Sequence, residues 1–173
     1  FHIHGSYDLD EDGKVETLVL NTRTSSAIWV EVTTSTTIDT LWSFTLPNGG
    51  KFADVEVADI DADGYNEIIA IPDLFASIGD QAWLYVFPGT ATGFLNEPLI
   101  FTDSPLEFTT IRPSNLALVP GESPQLAVAF GAPVRFGMMF DLDISDGTVS
   151  LINTQRLSAP IINNGHGVVY IGG

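Results

Sequence analysis

The sequence has no cysteine, so neither disulfides nor thiolate-held metals enter any account of its stability or chemistry. Basic residues are scarce: Lys and Arg number 6 against 22 Asp and Glu, for a formal charge of −16. A surface that acidic does not neutralise a phosphate backbone, and anionic lipid repels it, so nucleic acid and charged membrane surfaces are not expected partners. No apolar run approaches the roughly 20 residues of a membrane-crossing helix, and no membrane insertion is expected. Asn-x-Ser/Thr does not occur, which removes ordinary N-glycosylation. No basic, apolar leader opens the sequence, which is therefore expected to be mature, trimmed or partial.

What is present is a folding composition. Apolar residues make up 45% and charged residues 16% of 173 positions, enough to build a core and too apolar for a disordered chain. The acidic excess suits a protein that holds divalent cations.

An internal repeat organises the chain. YDLDEDGKVETLVL (7–20) aligns without gaps on ADIDADGYNEIIAI (58–71). Asp8, Asp10, Asp12, Gly13 and Glu16 fall on Asp59, Asp61, Asp63, Gly64 and Glu67. A third, eroded copy is LALVPGESPQLAVAF (116–130), in which Ala117, Val119 and Gly121 replace the acids. A fourth copy, with its loop shortened, begins in PIINNGHGVVYIGG (160–173). Repeats of about 50 residues fit the blades of a β-propeller.

Within each unit the pattern is that of strands. The segment 31–47 mixes β-branched and aromatic residues without helical spacing, and FADVEVADI sets Phe52, Asp54 and Glu56 against Ala53, Val55 and Val57. Strands are expected near 1–7, 16–21, 26–32 and 39–46, then near 52–58, 66–71, 82–87 and 97–102. The third set is expected near 107–112, 115–119, 125–130 and 135–141, with a further strand near 147–153. PNGG (47–50) and PGTATG (88–93) read as turns, and DLFASIGD (73–80) as an insertion loop. The expected architecture is all-β: four-stranded antiparallel blades at about 1–48, 49–105 and 106–158, plus a partial blade at 159–173.

The chemistry resides in D-x-D-x-D-G-x-x-E, which occurs twice. Alternate residues of a tight loop turn carboxylates inward, and Gly supplies the positive φ that closes it. Acids packed this closely repel one another unless a cation sits among them. An all-oxygen, irregular ligand set suits Ca²⁺ better than Mg²⁺. One site is expected from Asp8, Asp10, Asp12 and Glu16 with the Lys14 carbonyl, a second from Asp59, Asp61, Asp63 and Glu67 with the Tyr65 carbonyl. An EF-hand fails as an alternative: its twelfth loop position calls for Glu, and Val19 or Ala70 stands there. A solvated acidic turn that binds nothing would explain one copy, but it does not explain two aligned copies that each end in Glu.

Both loops resemble the calcium loops of FG-GAP and VCBS repeats, found in integrin α-subunit heads and many bacterial surface proteins. The segments 27–47 and 137–153 are similar to the last two strands of quinoprotein-like propeller blades, and 160–173 is similar to the opening of one. The resemblance implies a calcium-binding propeller of roughly six to eight blades, with the loop joining the first two strands of each blade. It implies a non-catalytic extracellular or cell-surface module, possible in a periplasm too, that engages a protein or polysaccharide ligand. The missing blades would come from a longer chain or from further copies. A propeller portion of a polysaccharide lyase-like enzyme and a subunit of a self-assembling surface fibre are the alternatives.

Weaker groupings have plainer readings. Asp141, Asp143 and Asp146 precede Gly147, where a hairpin turn fits better than a third metal site. His2 and His4 share one face of a strand without a third ligand nearby in sequence. Trp29, Trp42, Trp83, Tyr85 and Phe87 suit a core between blades better than a sugar platform. His166 reads as a turn residue. No G-x-S-x-G elbow, acid/base pair or phosphate-cradling loop is recognisable. No catalytic residue and no cofactor beyond Ca²⁺ is therefore expected.

Overall fold

A computed structural model of the chain describes residues 2–8, 12–21, 23–47, 50–73, 82–101, 113–119, 125–130, 136–144 and 148–155. The structure is all-β. The first sheet is an antiparallel meander of β1 (His2–Tyr7), β2 (Glu16–Asn21), β3 (Ser26–Thr34) and β4 (Thr37–Thr45). The second runs through β5 (Lys51–Ala58), β6 (Glu67–Asp73) and β7 (Leu84–Phe87) to β10 (Leu99–Phe101). Between β7 and β10 a small ribbon forms from β8 (Gly89–Thr90) and β9 (Gly93–Phe94). The third sheet is β11 (Pro113–Val119), β12 (Gln125–Phe130), β13 (Phe136–Asp143) and β14 (Thr148–Gln155). Four-stranded antiparallel units repeated along a chain are the construction of propeller blades.

Two expectations change in detail. The stretch 88–93, read as a turn, carries the β8–β9 ribbon, because Thr90 and Gly93 pair across a two-residue tip. The strand expected as an extra near 147–153 is β14, the fourth strand of the third sheet, and that sheet begins at β11. The strand expected at 107–112, the loop 74–80 and the segment 159–173, with His166, lie outside the described residues. Asp141 and Asp143 lie on β13, and Asp143 pairs with Thr148 across the turn to β14, so the hairpin reading holds there. Asp146 lies outside the described residues.

Burial explains the strand patterns. The second sheet is covered on both faces, so β6 reads as an unbroken apolar run, Ile68 to Ile71, with every residue buried. Ile68, Ala70, Tyr85 and Phe87 join a cluster with Leu18, Leu20, Trp29 and Trp42 of the first sheet. Ile69, Ile71, Leu84 and Val86 point the other way, into a cluster with Leu126, Val128, Met138 and Phe140 of the third. The period of two along a strand sends alternate residues to alternate neighbours. Each fully buried side chain of this size contributes about 1.5–3 kcal/mol over an exposed one. All five strand aromatics singled out from sequence are buried in these clusters. Trp42 meets Phe87 edge-on at 4.9 Å between ring centres.

A bulge after Phe52 changes the alternation expected for β5. Asp54 becomes buried, and its Oδ2 accepts the Leu116 N–H at 2.8 Å, tying the second sheet to the first strand of the third. Its neighbour Glu56 is half-buried. Burial foremost, and then the Asp54 charge, push the Glu56 carboxyl up to about 7. A carboxyl whose folded pKa is raised favours folding in its protonated form. That contribution is complete below the ordinary carboxylate range and is lost as pH rises through about 7. Glu56→Gln is therefore expected to raise Tm above that of the parent in mildly alkaline buffer and to leave it unchanged in acid. Melting curves of both proteins across that range check this.

Candidate metal centres

Each acidic loop joins the first two strands of its sheet: 8–15 links β1 to β2, and 59–66 links β5 to β6. The closing acid stands in each case on the first residue of the second strand, Glu16 of β2 and Glu67 of β6, and both are 1% exposed. The aspartates come from the exposed loop itself. A rigid buried carboxylate thus faces carboxylates held on a turn.

The turns have the same internal wiring. Gly13 donates its N–H to Asp8 Oδ2, and Gly64 donates to Asp59 Oδ2, both at 3.1 Å. Lys14 N–H donates to Asp12 Oδ1 and Tyr65 N–H to Asp63 Oδ1, both at 2.8 Å. Both glycines lie at positive φ, 83° and 93°, a region that side-chain-bearing residues adopt only with strain. Ala62 nevertheless sits at φ 61° in the second loop.

Carboxylate oxygens of Asp8, Asp12 and Glu16 lie within 4.8 Å of one another, as do those of Asp59, Asp61 and Glu67. Each trio could hold a metal ion. Asp10 lies outside the described residues. Asp63, the counterpart of Asp12, is outside the second trio and serves its own turn through Tyr65. The Lys14 and Tyr65 carbonyls follow the two glycines in the same turns and remain expectations as fifth ligands. The donor chemistry fits a hard cation: every side-chain ligand is a carboxylate oxygen, and nitrogen and sulfur are missing from both trios.

The two centres differ in ways their alignment does not reveal. In the first, the Lys14 ammonium bridges Asp12 Oδ2 and Glu31 Oε1. The Lys14 bond holds Asp12 below the usual carboxylate range, while Asp12 and Glu31 raise Lys14. Tyr65 replaces this lysine in the second loop. There Glu67 accepts two main-chain bonds, from Ile60 N–H at 2.8 Å and Gly89 N–H at 3.2 Å. Burial nevertheless raises the Glu67 carboxyl, and the Asp61 and Asp63 charges add to that. Carboxylates without a counter-charge destabilise one another in this way, and a bound cation reverses it. Sequence reasoning missed Glu31 and Gly89. Glu31 is 15 residues past Glu16 on β3 and directly opposite it in the sheet, so only strand pairing brings it in.

Stacked antiparallel sheets with a carboxylate cage between the first two strands define an all-β repeat protein of propeller-like blades. Residues 8–70, which span both cages from Asp8 to Glu67, match the family model described as an FG-GAP-like repeat. Over that stretch the chain is similar to FG-GAP-type repeats. No curated protein matches the chain.

Proposed function

We propose that this chain is a non-catalytic module that two Ca²⁺ ions stabilise, and that it works outside the cell as a structural or adhesive element for a protein or polysaccharide ligand. The observation that carries this reading is the duplicate geometry: three converging carboxylates in each of two loops that have the same Gly-to-Asp wiring. Ca²⁺ tolerates the irregular oxygen set that such loops offer, and millimolar external calcium matches the affinity of exposed extracellular sites. An ion that binds only the folded form stabilises it by mass action, by about 2.7 kcal/mol at a hundredfold excess over Kd. Exposed Ile3 and Val32 on the first sheet support further sheets, or a second copy, as partners.

The test is thermal unfolding with calcium and with excess chelator, together with calorimetric titration. Calcium is expected to raise Tm clearly, and Asp61→Ala is expected to remove one of two binding steps. Coincident melting curves in the two buffers would end this reading.

Lys14 sets a difference between the sites. A metal ion at the first cage competes with an ammonium already seated on Asp12, whereas in the second loop Tyr65 stands at that position. Lys14→Gln is therefore expected to tighten calcium binding at the first site a few-fold. The gain is limited because Lys14 and Asp12 are exposed and water screens their attraction. Titration in an Asp61→Ala background isolates this step.

A further inference from the structure

A cavity of about 290 Å³ opens between the first and second sheets, beside both acidic loops. Its lining includes Trp29 and Trp42, and Phe94 of β9 packs edge-on against both, at 5.2 and 5.8 Å between ring centres. One wall is the tip of the second loop, where Tyr65 stands 43% exposed. The β8–β9 ribbon, whose Gly89 lies against Asn66 and Tyr65, completes the lining. The ribbon is held in place twice: the Thr90 hydroxyl donates to the Gly93 carbonyl at 2.9 Å, and Gly89 N–H is bonded to Glu67.

We propose that this cavity binds a single neutral sugar ring. The exposed Tyr65 ring and the half-buried Phe94 ring, both in the lining, are aromatic groups of the kind on which the apolar face of a pyranose stacks. The Thr92 hydroxyl and Asn66 carboxamide, also in the lining, offer hydrogen-bonding groups for sugar hydroxyls. Among the described residues, Glu16 is the one charged side chain in the lining. Together with a chain charge of −16 it disfavours an anionic ligand. The volume lies just below the usual range of ligand cavities, about 300–1,000 Å³, which fits one ring and not a chain. This assignment does not depend on the metal reading, since stacking and hydrogen bonding supply the contacts.

The experiment is saturation-transfer NMR with tryptophan fluorescence on the whole chain in calcium buffer. The probes are methyl glycosides of glucose, galactose, mannose and N-acetylglucosamine, with methyl glucuronide and choline as charged competitors. At least one neutral glycoside is expected to bind, and the glucuronide more weakly. Tyr65→Ala is expected to weaken that binding about tenfold, the scale of one lost stacking partner. Thr92→Val, on the exposed ribbon tip, is expected to weaken it without a change in Tm, and Ile100→Ser, outside the cavity, to leave it unchanged. Failure of every neutral glycoside overturns the proposal. So does binding indifferent to both Tyr65→Ala and Thr92→Val, or choline or glucuronide binding tighter than all of them.

Discussion

Glu67→Ala is expected to destabilise the fold by about 2–4 kcal/mol even in chelator, and to abolish calcium binding at the second loop. Glu67 is 1% exposed and accepts N–H bonds from Ile60 and Gly89. Ile60 packs in the cluster between the second and third sheets, and Gly89 begins the ribbon over the first. Removing the carboxylate strands both donors, Ile60 buried and Gly89 half-buried, and a buried donor left without an acceptor costs about 1–3 kcal/mol, a half-buried one less. The stability loss and the metal loss have separate causes, so they are measured separately. Urea unfolding in chelator reports the hydrogen bonds, and calorimetry with calcium reports the ligand. Glu67→Gln sharpens the contrast. Its amide oxygen keeps one acceptor while its NH₂ opposes the other donor, so a smaller destabilisation with the same loss of metal is expected. Unchanged urea midpoints in both variants would show that these hydrogen bonds do not hold the loop.

Gly89→Ala is the second change with a large expected effect. A Cβ at Gly89 would lie 2.2 Å from the Asn66 carbonyl oxygen and 2.9 Å from its carbon. Both are main-chain atoms, next to Glu67, so no side-chain rotation relieves the overlap. The ribbon would have to lift away, breaking the Gly89 bond to Glu67 and withdrawing Phe94 from Trp29 and Trp42. Overpacking of this kind costs about 1–3 kcal/mol, with the lost hydrogen bond in addition. The expected results are a lower Tm and a red-shifted tryptophan emission, both read from one thermal melt. Gly13 and Gly64 provide the comparison. Space around each is open, with nothing within 4 Å of an added Cβ, so their substitution to Ala meets only the positive-φ strain.

Much of this was legible in the residues. The duplicated D-x-D-x-D-G-x-x-E locates both loops, because a carboxylate cage needs acids on alternate positions and a glycine to close it. β2, β3 and β6 begin within a residue of where the periodicity puts them. Other features were not legible because they arise from pairing. Asp54 reads as one polar residue in an alternating strand until the bulge turns it inward to meet Leu116, 62 residues away. PGTATG has turn composition, and it forms a ribbon because Glu67, 22 residues earlier, captures Gly89. Asp63 matches Asp12 in the alignment, yet only Asp12 joins a trio.

The sequence by itself determined the strand periodicity, the repeat and the type of ligand atom, since these depend on backbone sterics and side-chain chemistry over a few residues. The tertiary structure decided which carboxylates converge, that Lys14 occupies one cage and not the other, and that a cavity opens beside them. Those outcomes depend on contacts between strands far apart in sequence, whose register is set by burial across neighbouring sheets.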